Sequence, residues 1–205
     1  MKLDTIFAIA TGTVQVPDAL PLARKIFAEN QNLLERGPRT YTNFIRQNPH
    51  KHVINENYHC PEDVDTLKII ILRWGVEYLK RIGFHMDFYT YSVRNLWLNE
   101  YRSAEDFQGK HYHTGYLISG TYYVDMPEGS APIMFHNPNN TFNGQFPGDS
   151  IRTFDVYNAD YWVMYPNEGD LILWNSNLQH EVPRQEFTGI RRSISFDITV
   201  DRYLG

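Results

Sequence analysis

Beyond Phe84 the helical spacing of apolar residues vanishes and short β-like runs take over, at 85–91, 93–101, 115–125, 131–136, 151–157, 160–165, 170–175 and 190–200. Turn-forming clusters separate them: Pro127-Glu128-Gly129, Asn137-Pro138-Asn139-Asn140, Pro147-Gly148-Asp149 and Asn167-Glu168-Gly169. Many short strands at this spacing, punctuated by residues that accept tight-turn dihedrals, predict two sheets closed on one another as a jelly-roll-like barrel. An aromatic content of 15%, with 14 tyrosines and 12 phenylalanines, suits pleated, half-buried surfaces and tells against a helical bundle.

The first 83 residues read differently. Leu3 to Val16 predicts one or two opening strands around a Thr-Gly-Thr break. Pro17-Asp18 then starts a helix whose apolar residues Leu20, Leu22, Ala23, Ile26, Phe27, Leu33 and Leu34 keep helical spacing until Gly37-Pro38. Residues 38–60 are polar and lack a sustained period, which predicts a long surface loop over a substrate entrance. Pro61-Glu62-Asp63 places a proline and two acids where the helix dipole favours them. Val64, Leu67, Ile70, Ile71, Trp74, Tyr78 and Leu79 then carry a second helix to Arg81, before Gly83. Helices first and strands after predict that both helices brace one outer face of a mainly β fold. At 205 residues the chain is expected to be a single domain, with 1–92 as strand and helical support and 93–200 as the barrel core.

Charge and cysteine content narrow the function classes. A net charge of −5, spread without blocks, offers no footprint for a phosphate backbone and disfavours nucleic acid as a partner. The single cysteine, Cys60, excludes an intramolecular disulfide framework and fits a reducing cytosol. No apolar leader and no run of about 18 apolar residues is present, so a cytoplasmic protein without a membrane span is expected. There is no phosphate-cradling glycine loop and no nucleophile elbow.

The stretch Gly109 to Val124 carries the chemistry. His111 and His113 are two apart and run into a β-like segment, so both imidazoles share one strand face and can converge on one transition metal. A further ligand has to come from elsewhere, and His180 follows the apolar run Leu171 to Trp174. Eleven residues on, Arg191, Ser193 and Ser195 share one face of a β run while Arg192, Ile194 and Phe196 share the other. A cation beside the metal face suggests an anionic co-ligand. Read alone, an H-x-H pair is as consistent with two solvated polar residues, and three imidazoles with an open position also suit zinc. His50, His52, His59, His85 and His136 read as solvated or supporting residues, and Trp97, Trp162, Trp174 and Phe196 as core.

The ordered combination of His111-Tyr112-His113, Ser119-Gly120-Thr121-Tyr122-Tyr123-Val124, His180-Glu181-Val182 and Arg191-Arg192-Ser193-Ile194-Ser195-Phe196 resembles the iron(II)/2-oxoglutarate-dependent oxygenases. It is most similar to a small subgroup common in marine bacteria and their phages, over roughly residues 93–200. The resemblance implies a double-stranded β-helix and an enzyme that uses Fe(II), 2-oxoglutarate and O₂ to hydroxylate a small-molecule or peptide substrate. It implies that His111, His113 and His180 hold the metal and that Arg191, Ser193 and Tyr101 bind the co-substrate. Most of the superfamily has an acid where this chain has His113. Either His113 is itself a ligand or a carboxylate from another strand completes the set; Asp125 is too far along its own strand to do so.

Two alternatives stay open at the level of sequence. A cupin-like metal dioxygenase or isomerase also uses H-x-H on a barrel strand, although the glutamate that normally follows is missing between Thr114 and Thr121. A metal-free barrel that binds a ligand or partner is the other. The substrate-selecting residues are expected on 38–60 and 137–150, and an outer sheet edge leaves room for a homodimer.

Overall fold

The computed structural model describes residues 2, 7–37, 39–48, 51–54, 57–139, 152–184, 186 and 189–204. In chain order the elements are β1 (Thr11–Gln15), α1 (Leu20–Glu29), β2 (Glu35–Arg36), β3 (Tyr41–Thr42), β4 (Phe44–Asn48), β5 (Lys51–Ile54) and α2 (Pro61–Arg81). There follow β6 (Tyr89–Tyr101), β7 (Gln108–His111), β8 (Ile118–Asp125), β9 (Ile133–His136), β10 (Tyr161–Met164), β11 (Asp170–Asn175), β12 (His180–Val182) and β13 (Arg191–Tyr203).

The strands form a seven-stranded sheet in the order β1-β11-β8-β13-β6-β3-β2, a four-stranded sheet β10-β9-β12-β7, and a separate hairpin β4-β5. Every pairing is antiparallel. With its two sheets and two helices the chain has the mainly β, jelly-roll architecture expected of a double-stranded β-helix.

The large sheet is buried on both faces, and its period-two alternation sorts the side chains. Leu96, Leu98, Ile118, Tyr122, Val124, Leu171, Leu173, Ile194, Phe196 and Ile198 share a core with Ala23, Ile26 and Phe27 of α1 and Val64, Leu67, Ile71 and Leu79 of α2. Tyr123, Ile172 and Trp174 point to the opposite face, where they meet Ile133, Phe135 and Leu178. Each fully buried large side chain stabilises the fold by roughly 1.5–3 kcal/mol. The helical layer therefore fixes one face of the sheet while the other face lines the barrel.

Helix α2 runs as its sequence dictates, with Pro61 in its first turn, Glu62 and Asp63 beside the positive end, and Lys80 and Arg81 beside the negative end. Gly83, at φ 96°, turns the chain out of it. At Gly75 the helix approaches β13 so closely that an added Cβ would run into Ile198. Gly120 of β8 lies equally tight against Phe196 and the Ile172 carbonyl.

Several expectations are corrected. Helix α1 ends at Glu29, because Asn30 turns its side chain back to accept the His59 amide and donate to the Ile26 carbonyl; Leu33 and Leu34 lie beyond the helix. The 38–60 stretch holds β3 and the β4-β5 hairpin in place of an unstructured loop. Residues 85–88 are not strand, and 93–101 is continuous with Tyr89 as one strand. Residues 152–157 form a turn region built on Asp155, whose carboxylate accepts the Tyr157 amide, so the strand expected there is not formed. The expected opening strand is limited to β1, residues 3–6 lying outside the described residues along with 140–150 of the 137–150 region. Trp162 is not core: it is 52% exposed on β10, at the edge of the smaller sheet. No described helix is long and apolar enough to cross a membrane.

Candidate metal centre

The smaller sheet brings the two distant histidine stretches together. His180 opens β12 and pairs directly with His111, the last residue of β7. The chain continues past β7 and the His113 amide donates to the Ser176 carbonyl at 2.8 Å, which anchors the third histidine beside them. Ring centroids are 5.1 Å apart for His111 and His113, 4.3 Å for His111 and His180, and 5.3 Å for His113 and His180. One ring nitrogen from each of the three lies within 4.8 Å of the others, so a small inward turn of the rings would let all three reach one ion at ~2.1 Å.

Hydrogen bonds fix which nitrogen is free. His111 Nδ1 lies 2.8 Å from the Gly109 carbonyl and His180 Nδ1 lies 2.9 Å from the Leu178 carbonyl. A carbonyl only accepts, so both Nδ1 atoms carry the proton and both Nε2 lone pairs are free. His113 Nδ1 faces the Asp197 carboxylate at 2.6 Å, which orients it the same way. Burial, followed by the neighbouring His113, pushes the His111 imidazole down to about 4. Burial and then His111 hold His180 well below the ordinary histidine value. Both are neutral at physiological pH, the form that binds a metal.

Aromatic side chains wall the cluster. Trp97 sits 5.6 Å from His113, while Trp174 and Phe135 sit 4.8 and 6.3 Å from His180. Trp97 is half-buried and faces His113, so it belongs to the site and not to the core.

Deeper in the barrel is Arg191, the first residue of β13, 1% exposed. Its guanidinium carbon is 4.6 Å from the Tyr101 ring and 5.4 Å from the Tyr123 ring. Its Nε and Nη1 have no hydrogen-bond partner, and neither does the Tyr123 hydroxyl. A buried charge left without its hydrogen bonds costs several kcal/mol, so these donors could take an acceptor brought by a ligand. Burial raises the Tyr101 hydroxyl while the Arg191 charge pulls it back, so Tyr101 remains a proton donor toward such an anion. Ser193, 2% exposed, is two residues along the same face. Two residues beyond Ser193 on the same face, Ser195 Oγ meets Asn99 Nδ2 and Thr121 Oγ1, each at 3.1 Å.

Three histidines, a buried cation, Tyr101 and Ser193 thus line one barrel interior, and no carboxylate joins the three-histidine group among the described residues. Arg192 faces the other way as expected, yet it is more than a surface charge: its Nε and Nη1 donate to Glu100 at 2.7 Å and Asp125 at 3.0 Å. That pairing uses Asp125, which also receives Arg24 at 3.0 Å. His136 pairs with Glu181 at 2.9 Å and His59 with Asn32 at 3.0 Å. His50 lies outside the described residues. A second cluster, Glu29, Cys60 and Asp63, already contains a cation, since Lys25 reaches Asp63 at 2.6 Å and Asn30 donates to Cys60 Sγ at 3.2 Å.

Sequence alone assigns no role to Asp197, 3% exposed, or to Asn95 and Ser176 near it. Its signal was present: Asp197 interrupts an apolar strand with the same parity as Arg191, Ser193 and Ser195.

Comparisons with known proteins bear on the family and the fold. A family model described as 2OG-Fe(II) oxygenase matches residues 95–197. Curated protein sequences give no match. In fold the chain is similar to a 2OG-Fe(II) oxygenase family oxidoreductase from Burkholderia pseudomallei, at TM-score 0.60 and 15% identity over 92% of this chain and 84% of that one. A Pseudomonas putida prolyl-4-hydroxylase aligns at TM-score 0.56 and 13% identity over 95% and 94%. A Trichoplax adhaerens prolyl hydroxylase, in complex with a hypoxia inducible factor oxygen degradation domain peptide, aligns at TM-score 0.56 and 12% identity over 92% and 83%.

Proposed function

The chain belongs to the 2OG-Fe(II) oxygenase family, and from that premise we propose that His111, His113 and His180 hold its iron while Arg191, Ser193 and Tyr101 receive 2-oxoglutarate. Membership displaces the cupin-like and metal-free readings, because the family uses Fe(II), 2-oxoglutarate, O₂ and a primary substrate. When bound, the iron and co-substrate supply the oxidising chemistry, in which O₂ and 2-oxoglutarate become succinate and CO₂ and the primary substrate is hydroxylated.

The chain's own residues position and protect. Nδ1 protons held by Gly109, Leu178 and Asp197 aim three Nε2 lone pairs at one point. Arg191 offers a planar pair of N–H donors to a carboxylate, a geometry lysine cannot reproduce. Trp97, Phe135 and Trp174 keep bulk water from the histidines. The observation that carries the assignment is the pair of unpartnered N–H groups on a guanidinium that is 1% exposed. The tyrosine rings beside it satisfy that charge only in part among the described residues.

The primary substrate is a small molecule or a peptide, and the peptide bound to the Trichoplax neighbour is consistent with the second. We take the chain to act as one cytoplasmic oxygenase domain, with a homodimer through a sheet edge as its assembly. The test is succinate formation from 2-oxoglutarate with Fe(II) and ascorbate, over a panel of amino acids, peptides and metabolites. Wild-type protein is expected to release succinate, and His180→Ala to release none. Wild-type protein that forms no succinate under any of these conditions would refute the assignment.

A further inference from the structure

The three histidines are not held alike. His111 and His180 donate their Nδ1 protons to neutral backbone carbonyls, whereas His113 donates to a carboxylate, Asp197, at 2.6 Å. Asp197 is 3% exposed and two further donors hold it: Ser119 Oγ at 2.6 Å on the same oxygen and Asn95 Nδ2 at 2.9 Å on the other. Ser119 is itself braced by Ser176 at 3.0 Å. A carboxyl group facing three donors acts as an acceptor on both oxygens, the role of an ionised carboxylate. The network draws on β6, β8, β13 and the turn after β11, so it is built into the large sheet and not into the histidine loop.

We infer that Asp197 supplies through His113 the negative charge that a directly bound acid would otherwise give this metal centre, which makes it a positioning residue for iron. The inference rests on the three-histidine reading above. Three neutral imidazoles leave the full charge of a divalent ion uncompensated. An anion accepting the Nδ1 proton makes the opposite nitrogen a stronger electron donor and locks the ring's rotation. The acid has in effect moved one imidazole outward, and His113 stands between it and the ion. Strand β13 then carries both anionic and cationic control of the site, with Asp197 behind the metal and Arg191 behind the co-substrate.

Cobalt(II) is a suitable probe because its affinity, absorption and displaced ring N–H proton signals can be read without turnover. Asp197→Asn keeps size and an acceptor oxygen while removing the charge. It is expected to weaken cobalt affinity by about 10- to 100-fold, and to move one exchangeable ring N–H signal of the loaded protein while the other two stay in place. The apo protein's melting temperature serves as the control for folding. Affinity within about twofold of wild type, or equal displacement of all three ring signals, would overturn the inference. If Asp197→Asn does not fold, Asn95→Leu, which takes one donor off the carboxylate and leaves it a stronger acceptor for the His113 proton, should move the same single ring N–H signal and leave the other two in place; no movement of that signal counts against the inference equally. Wild-type protein that takes up no cobalt would instead refute the three-histidine site itself, a result distinguishable from a wild-type-like Asp197→Asn.

Discussion

Arg191 is placed at a cost to the empty protein, and that cost can be measured. Its guanidinium is 1% exposed with two N–H groups unpartnered. Replacing buried ionic groups by apolar side chains of similar volume is often neutral or stabilising, by up to about 4 kcal/mol. Arg191→Met should therefore raise the denaturation midpoint of the apo protein. It should also remove a buried, charge-assisted contact to the co-substrate, worth about 2–5 kcal/mol or at least about thirtyfold in the KM for 2-oxoglutarate. Opposite changes in stability and KM are the signature; a variant both less stable and unaltered in KM would show that Arg191 is structural. The histidines predict a pH dependence whose sign follows from burial. His111 titrates near 4 in the folded chain, below the ordinary 6.5, so the unfolded chain binds the extra proton first. Stability from this group is complete above about pH 6.5 and is lost as pH falls toward 4, by up to about 3 kcal/mol, with His180 adding in the same direction. Apo protein unfolded by urea between pH 7.5 and 4.5 should show this decline, and His111→Gln should flatten it.

Between elements, close approach decides the outcome more than propensity does. Gly75 sits inside α2, where alanine would ordinarily gain about 1 kcal/mol. Here the added methyl meets the Cδ1 atom of Ile198 on β13, so the expected sign reverses. Gly75→Ala should destabilise by about 1–3 kcal/mol, and Ile198→Val, which deletes that atom, should restore most of the loss in the double variant. Additive losses in denaturant midpoints would show that the two side chains do not meet. The same contrast explains what was legible in the sequence. Helix α2 was readable to the residue because Pro61, the acids behind it and Gly83 are local signals. Strands β8, β11 and β13 were readable because the large sheet is apolar on both faces. The β4-β5 hairpin was hidden because residues 38–60 carry no alternation, and 152–157 misled because Phe154 and Val156 are apolar yet 64% exposed each. His111, His113, His180 and Arg191 stood out through spacing. Asp197 did not, because only the folded sheet shows which side chain an isolated buried acid faces.

Across the whole molecule the two sheets contribute different parts of the site. His111 and His180 come from β7 and β12, strands of four and three residues whose mutual register is interrupted between His180 and Val182. Arg191 comes from β13, thirteen residues long and paired along both sides within the large sheet. Short pairings open locally at low free energy, whereas long central ones open near the global limit. A metal binding only the folded form stabilises it by about 2.7 kcal/mol at a hundredfold excess over Kd, and the gain reaches every amide whose opening releases the ion. Hydrogen exchange is therefore expected to slow by up to about a hundredfold in β7 and β12, and in the globally exchanging amides of β13 and α2, when cobalt(II) is added to the apo protein. Adding 2-oxoglutarate should then extend protection to the Arg191 end of β13 and the Tyr101 end of β6 if, as proposed, the co-substrate bridges from the smaller sheet to the larger. Protection of the Arg191 end of β13 by 2-oxoglutarate without metal, or no slowing of β7 and β12 by metal alone, would mean that the ion and the co-substrate do not link the sheets.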